Sequence, residues 1–130
     1  MTSGLDTSVV VRLLVGEPAA QGAAARQFLD DATAAAGLRV SDLVLAETWF
    51  ALRHHYAVPE DDALRAIGGL LADPRILASP AARRVFTPSA TRVKPGLIDR
   101  LIHAAYADDG ASVVTFDRAA ARLPGARLLG

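Results

Sequence analysis

Short apolar runs of strand length alternate with helical segments along almost the whole chain, and this alternation narrows the possible folds more than any other feature. Leu38-Arg39-Val40, Arg75-Ile76-Leu77-Ala78, Ser112–Phe116 and Ala126–Leu129 read as strands, Ser112–Phe116 as the most clearly buried of them. An Ala-rich helix is expected over Ala23–Ala36, with Phe28 and Leu29 as its core edge and Gly37 as its stop. Ser41 or Asp42 caps a long helix running to about Tyr56. A further helix spans Pro59–Ala72, where the proline and the acids Glu60, Asp61 and Asp62 make a strong start. Ala81–Phe86, Leu97–Ala107 and Ala119–Leu123 complete the helices, and Thr87–Gly96 reads as a proline-containing loop. The order predicts an α/β domain whose mainly parallel central sheet is flanked by helices on both faces.

The 130 residues are enough for one domain with its own core, so a single domain over residues 1–130 is expected. The absence of cysteine excludes disulfides, zinc–thiolate sites and thiol catalysis. No secretory leader is read at the start, and no apolar stretch approaches the roughly 20 residues of a membrane span. A cytoplasmic protein is the expectation. The formal net charge is zero and Lys94 is the only lysine, so any basic surface must be local. Arginines gather between Arg83 and Arg127, either as such a surface or as scattered solvated charges.

Four acids stand in apolar company. Asp6 lies between Leu5 and Val9-Val10-Val11, and Glu47 sits within Leu43–Leu52, a helix apolar on nearly every face. Asp99 falls in Leu97-Ile98-Asp99-Arg100-Leu101-Ile102, and Asp117 ends Val113-Val114-Thr115-Phe116. A helix apolar all round is normally buried, and an unpaired carboxylate there costs several kcal/mol. Taken singly, each acid has an ordinary explanation as a cap or an arginine partner. Taken together, Asp6 and Asp117 fall where a strand gives way to a helix, the edge at which parallel sheets bind ligands, and Glu47 and Asp99 lie near the first turns of their helices. Four acids meeting there would repel one another unless a hard cation intervened. Oxygen-only donors favour Mg²⁺ or Mn²⁺ over Zn²⁺.

Four blocks in this order resemble the motifs of the PIN-domain family: Leu5-Asp6-Thr7-Ser8-Val9-Val10-Val11-Arg12-Leu13-Leu14, Ser41-Asp42-Leu43-Val44-Leu45-Ala46-Glu47, Asp99-Arg100-Leu101-Ile102-His103-Ala104-Ala105 and Val113-Val114-Thr115-Phe116-Asp117-Arg118. Within the family the chain is most similar to the VapC-type toxins of toxin–antitoxin pairs. The resemblance implies a three-layer α/β/α fold and an endoribonuclease that binds Mg²⁺ or Mn²⁺. It also implies a homodimer, a cognate antitoxin, and products bearing a 5′-phosphate and a 3′-hydroxyl. Carried over by position, Asp6, Glu47, Asp99 and Asp117 form the acidic metal site, and Thr115 supplies a hydroxyl within it. Ser8 stands where many relatives have asparagine, and serine can still donate. His103 stands where small residues are common, one turn after Asp99, within reach of the cleft. The Pro80–Pro95 segment reads as irregular where relatives have a helix.

Arg83, Arg84, Arg92 and Lys94 are the candidates for gripping RNA phosphates. His54 and His55 are adjacent, hence about 100° apart on a helix, and do not form a chelating pair. Trp49 and Phe50 read as core or dimer interface, and Asp108 and Asp109 as turn residues. The helices Leu43–Tyr56 and Leu64–Leu71 are expected to leave an apolar stripe for a second copy or an antitoxin helix. Two other acid-bearing α/β classes fit less well. A receiver-like phosphoacceptor needs a late lysine near the site, and Lys94 precedes the clearest late strand. A haloacid-dehalogenase-type phosphatase needs a second aspartate two residues after the first, where Ser8 stands. The remaining alternative is a catalytically silent PIN fold kept as an interaction module.

Overall fold

The computed structural model describes residues 2–87 and 94–130, in two compact units, Met1–Ser79 and Pro80–Gly130. The first contains a three-stranded sheet of β1 (Ser3–Gly4), β2 (Leu38–Arg39) and β3 (Ile76–Leu77), in that order. Both pairings are parallel, with Ser3 opposite Leu38 and Leu38 opposite Ile76. The ladder continues past the strand ends through Leu5 N–H to the Arg39 carbonyl (2.9 Å) and Val40 N–H to the Leu77 carbonyl (2.9 Å). Parallel strands require helical crossovers, and two pairs of helices provide them.

The first pair is α1 (Thr7–Val15) and α2 (Ala19–Asp31). Gly16, with φ of 77°, closes α1 in the left-handed region that glycine adopts without strain. Gly22 lies so close to that turn that a Cβ there would stand 2.6 Å from the Gly16 carbonyl oxygen, so the contact between α1 and α2 requires glycine. The Ala-rich helix therefore begins and ends earlier than alanine content predicts. Residues after Asp31 form a turn, in which Gly37 N–H reaches the Thr33 carbonyl (3.0 Å).

The second pair begins with α3 (Asp42–Phe50), capped by Ser41, whose Oγ accepts from Val44 N–H (3.2 Å). It continues as a π-helical turn over Ala51–His55. The end is closed by Tyr56 N–H to the Ala51 carbonyl and Val58 N–H to the Leu52 carbonyl, with Ala57 left-handed at φ 52°. α4 (Glu60–Leu71) starts at Pro59 with three acids in its first turn and buries Ala63, Leu64, Ile67, Leu70 and Leu71. Asp73 and Arg75 pin the turn that follows. Arg75 donates to both carboxylate oxygens of Asp73 and, through Nη1, to the Leu29 carbonyl at the end of α2 (2.7 Å). These donors hold the Asp73 carboxyl down at about 2. Val10, Val40, Leu45, Leu52, Ile67 and Ile76 form the centre of this core.

The second unit packs α5 (Pro80–Val85) against α6 (Leu97–Asp108) and pairs β4 (Val114–Thr115) in parallel with β5 (Arg127–Leu128). A 3₁₀ turn over Ala120–Arg122 connects the two strands. Ala81, Ala82, Phe86, Leu97, Leu101 and Ala120 are its buried residues. The run Ser112–Phe116, expected to be the clearest buried strand, is paired only at Val114 and Thr115, and Val114 (56% exposed) and Phe116 (80%) face solvent. Alternation puts those two on one face, and a two-stranded ribbon is too narrow to supply cover from within its own sheet. Every strand pair among the described residues is parallel, and strands alternate with helices as expected.

Candidate metal centre

In the first unit, the carboxyl ends of the strands deliver the acidic residues. β1 ends two residues before Asp6, which stands extended (φ −77°, ψ 160°) at the start of α1, while Val9 and Val10 N–H bond its backbone carbonyl. Its side chain does not cap that helix. Asp6 Oδ2 instead accepts from Ser8 Oγ at 3.2 Å, so the serine at this position does donate. Thr7, the residue between them, sends its Oγ1 to Glu47 Oε1 at 2.9 Å. One turn of α1 thus holds two acids distant in sequence through neighbouring hydroxyls, each by one carboxylate oxygen. That leaves the other oxygens oriented and available. At the same sheet edge, Ser79 Oγ donates to Asp42 Oδ1 at 2.6 Å, where β3 ends and α3 begins.

Asp6 and Glu47 are exposed rather than buried. Burial was expected because α3 is apolar all round, yet the helix buries only Leu45, Thr48 and Trp49, and the π-turn adds Leu52. Leu43 (70% exposed), Glu47 and Phe50 (49%) share the opposite face at spacings of four and three residues. Trp49 is core, whereas Phe50 is surface and stacks on His54 with ring centroids 6.0 Å apart. His55 packs edge-on against Tyr56 (4.8 Å).

In the second unit, Asp99 lies half-buried in the first turn of α6, where its charge favours the positive end of the helix dipole. Asp117 is exposed and held by its own backbone. Its Oδ1 accepts from Ala120 N–H (2.9 Å), and its N–H donates to Thr115 Oγ1 (3.0 Å). Thr115 therefore fixes the Asp117 main chain. His103, expected within reach of the cleft, is engaged elsewhere: Nε2 donates to the Pro124 carbonyl at 2.6 Å. Arg84 pairs with Asp108 at 2.6 Å, so Asp108, the last residue of α6, is an ion-pair partner as well as a turn residue. Arg83 and Lys94 are exposed, and Arg92 lies outside the described residues, as does most of the Pro80–Pro95 stretch beyond Thr87.

Among the described residues of either unit, no three Asp, Glu or His side chains converge as a cation cage would. The oxygen-only donors Asp6 and Glu47, oriented by hydroxyls and open to solvent, do suit a hard divalent ion that keeps part of its water shell. Two features escaped the sequence reading. Thr7 was passed over although it directly follows Asp6. The Arg12 Nε to Gln21 Oε1 bond between α1 and α2 (2.8 Å) depends on helix packing that composition does not disclose.

The PIN domain family matches residues 5–126, and the chain belongs to that family. Its parallel strands and alternating helices are those of the three-layer α/β/α PIN class. Members are generally nucleases and typically use divalent metal ions. Neither the curated proteins nor the solved structures returned a match. Among the described residues, no helix is long and apolar enough to cross a membrane.

Proposed function

We propose that this chain is a Mg²⁺- or Mn²⁺-dependent endoribonuclease, the VapC-type toxin of a toxin–antitoxin pair, working in the cytoplasm as one domain over residues 1–130. The observation that carries the reading is the pair of hydrogen bonds from Thr7 and Ser8, which orients Glu47 and Asp6 from a single helical turn. The family match, which runs through all four acidic blocks, supports extending the site to Asp99 and Asp117.

In this reading Asp6 and Asp99 would be the main ligands of such an ion, with Glu47 and Asp117 contributing directly or through water. A divalent ion held there would supply Lewis-acid chemistry, activating water and offsetting charge on the phosphate oxygens. The protein's own part is orientation. Thr7 and Ser8 restrict the carboxylates of Glu47 and Asp6, and Thr115 with Ala120 N–H fixes Asp117. Exposure of the acids lets an RNA backbone approach, with Arg83, Arg92 and Lys94 as phosphate contacts. The exposed Leu43 and Phe50 on α3 support a homodimer or antitoxin contact on that face.

The test is cleavage of a mixed RNA pool, including tRNA, by wild type and by Asp99→Asn, each with Mg²⁺, Mn²⁺ or EDTA. Cutting by wild type alone, abolished by EDTA and leaving 5′-phosphates, is expected. A folded wild type that binds no Mn²⁺ and cuts nothing would replace the nuclease with the silent interaction module.

A further inference from the structure

We propose that the groove between α1 and α2 is a nucleobase subsite that selects guanine. Its placement beside a scissile phosphate rests on the nuclease reading above; its capacity to bind the base does not.

The groove encloses about 600 Å³ and is walled by apolar side chains, among them Leu5, Val9 and Phe28. Phe28, on α2, is 49% exposed, so a flat aromatic ring borders the opening. Such a ring is a stacking partner for any base. The polar end is made by two residues facing each other across the helix pair, with Arg12 Nε donating to Gln21 Oε1 at 2.8 Å. That bond takes one of the two lone pairs of the glutamine amide oxygen and turns the oxygen toward the guanidinium. The terminal guanidinium nitrogens of Arg12 and the amide nitrogen of Gln21 remain as donors. An end this rich in donors best complements a base edge that carries only acceptors. Guanine presents O6 and N7 there, whereas adenine and cytosine each place an amino donor on that edge and uracil offers a single acceptor.

Ser8 links the groove to the acidic centre. It lines the groove, and its Oγ donates to Asp6 Oδ2. A guanine in the groove thus has its sugar–phosphate on the Asp6 side, and the groove reads a nucleotide next to the bond being cut.

Two measurements test this. In EDTA, where no cleavage occurs, the full chain is titrated by NMR with guanosine 5′-monophosphate and, separately, adenosine 5′-monophosphate. We expect the guanosine nucleotide to shift the Arg12 Nε–H, the Gln21 side-chain amide and the Phe28 ring, and to bind at least about fivefold tighter than its adenosine counterpart. Arg12→Ala should remove the preference while far-UV circular dichroism is unchanged. Equal binding of the two nucleotides, shifts elsewhere, or none would overturn the subsite. In the second measurement, a random-sequence RNA is cut with Mg²⁺ and the new ends are sequenced. Guanine enrichment at one fixed position beside the cut is expected for wild type and lost in Arg12→Ala and Gln21→Leu; enrichment retained in both overturns the proposal. Guanosine binding without any cleavage would leave the subsite standing and remove the nuclease. Cleavage with neither guanine signal would do the reverse.

Discussion

The two units hold their acids by different means. In Met1–Ser79, Asp6 and Glu47 are gripped by side-chain hydroxyls, and the partner of Glu47 lies forty positions away in sequence. In Pro80–Gly130, Asp117 is gripped by backbone three residues on and supported by a threonine two residues back. The Thr7–Glu47 bond exists only when α1 and α3 are packed; the bonds at Asp6 and Asp117 form within a single turn. The lone side-chain bond to each makes Asp6 and Glu47 sensitive to point substitution, whereas Asp117 depends on the loop as a whole. Core construction differs likewise. Large aliphatic residues fill the first unit, while the second relies on alanines and a few large side chains and leaves Val114 and Phe116 in solvent.

The largest expected effect lies at the site. Asp6→Asn should lower RNA cleavage by about a hundredfold or more while leaving the circular dichroism spectrum intact, since it removes a charge opposing the cation. Activity within twofold of wild type would detach Asp6 from the chemistry. Next comes the contrast in cores. Ile67→Ala should cost about 2–5 kcal/mol in urea denaturation. Phe116→Ala should stay within about 0.5 kcal/mol. Equal losses would show that the second unit uses Phe116 as core. Thr7→Val should weaken Mn²⁺ binding and kcat/KM together by about tenfold, as loss of a ligand-orienting bond does. Ser8→Ala should act in the same direction; an unchanged metal affinity in both variants would leave the hydroxyls merely structural.

A smaller effect concerns pH. Asp73 is held at about 2 by its bonds to Arg75, below the ordinary carboxylate value of about 3.9. A depressed carboxyl contributes stability that is fully present above its unfolded value and lost as pH falls through the folded one. Asp73→Asn should therefore flatten the decline in thermal stability between about pH 4 and pH 2, and an unchanged slope would contradict the pairing. The smallest effect is expected at Ala57. Glycine there should add about 0.5–1 kcal/mol by relieving a left-handed alanine.

Much of the fold was legible where local chemistry marks its own boundaries. Ser41 starts α3 as its cap, Pro59 with three acids starts α4, and each expected strand core survives as a pair of bonded residues. The Ala-rich helix was misplaced because alanine says helix without saying where; Pro18, the Gly16–Gly22 contact and the Thr33 turn decide that. Sequence overstates burial at Glu47 and at Phe116, because an apolar run announces a capacity for burial but not the neighbour that provides it. Asp6 and Glu47 were legible as charges in apolar stretches. Thr7, Arg12 and Gln21 were not, since their roles arise only when helices meet.

Whether Asp6 and Glu47, oriented by Ser8 and Thr7, hold a divalent cation decides the proposed function. Mn²⁺ affinity of the full chain, followed by electron paramagnetic resonance for wild type, Asp6→Asn and Glu47→Gln, tests it most directly. Both substitutions should weaken binding by at least about tenfold. If both variants bind Mn²⁺ as wild type does, neither acid is a ligand and the metal-site reading fails.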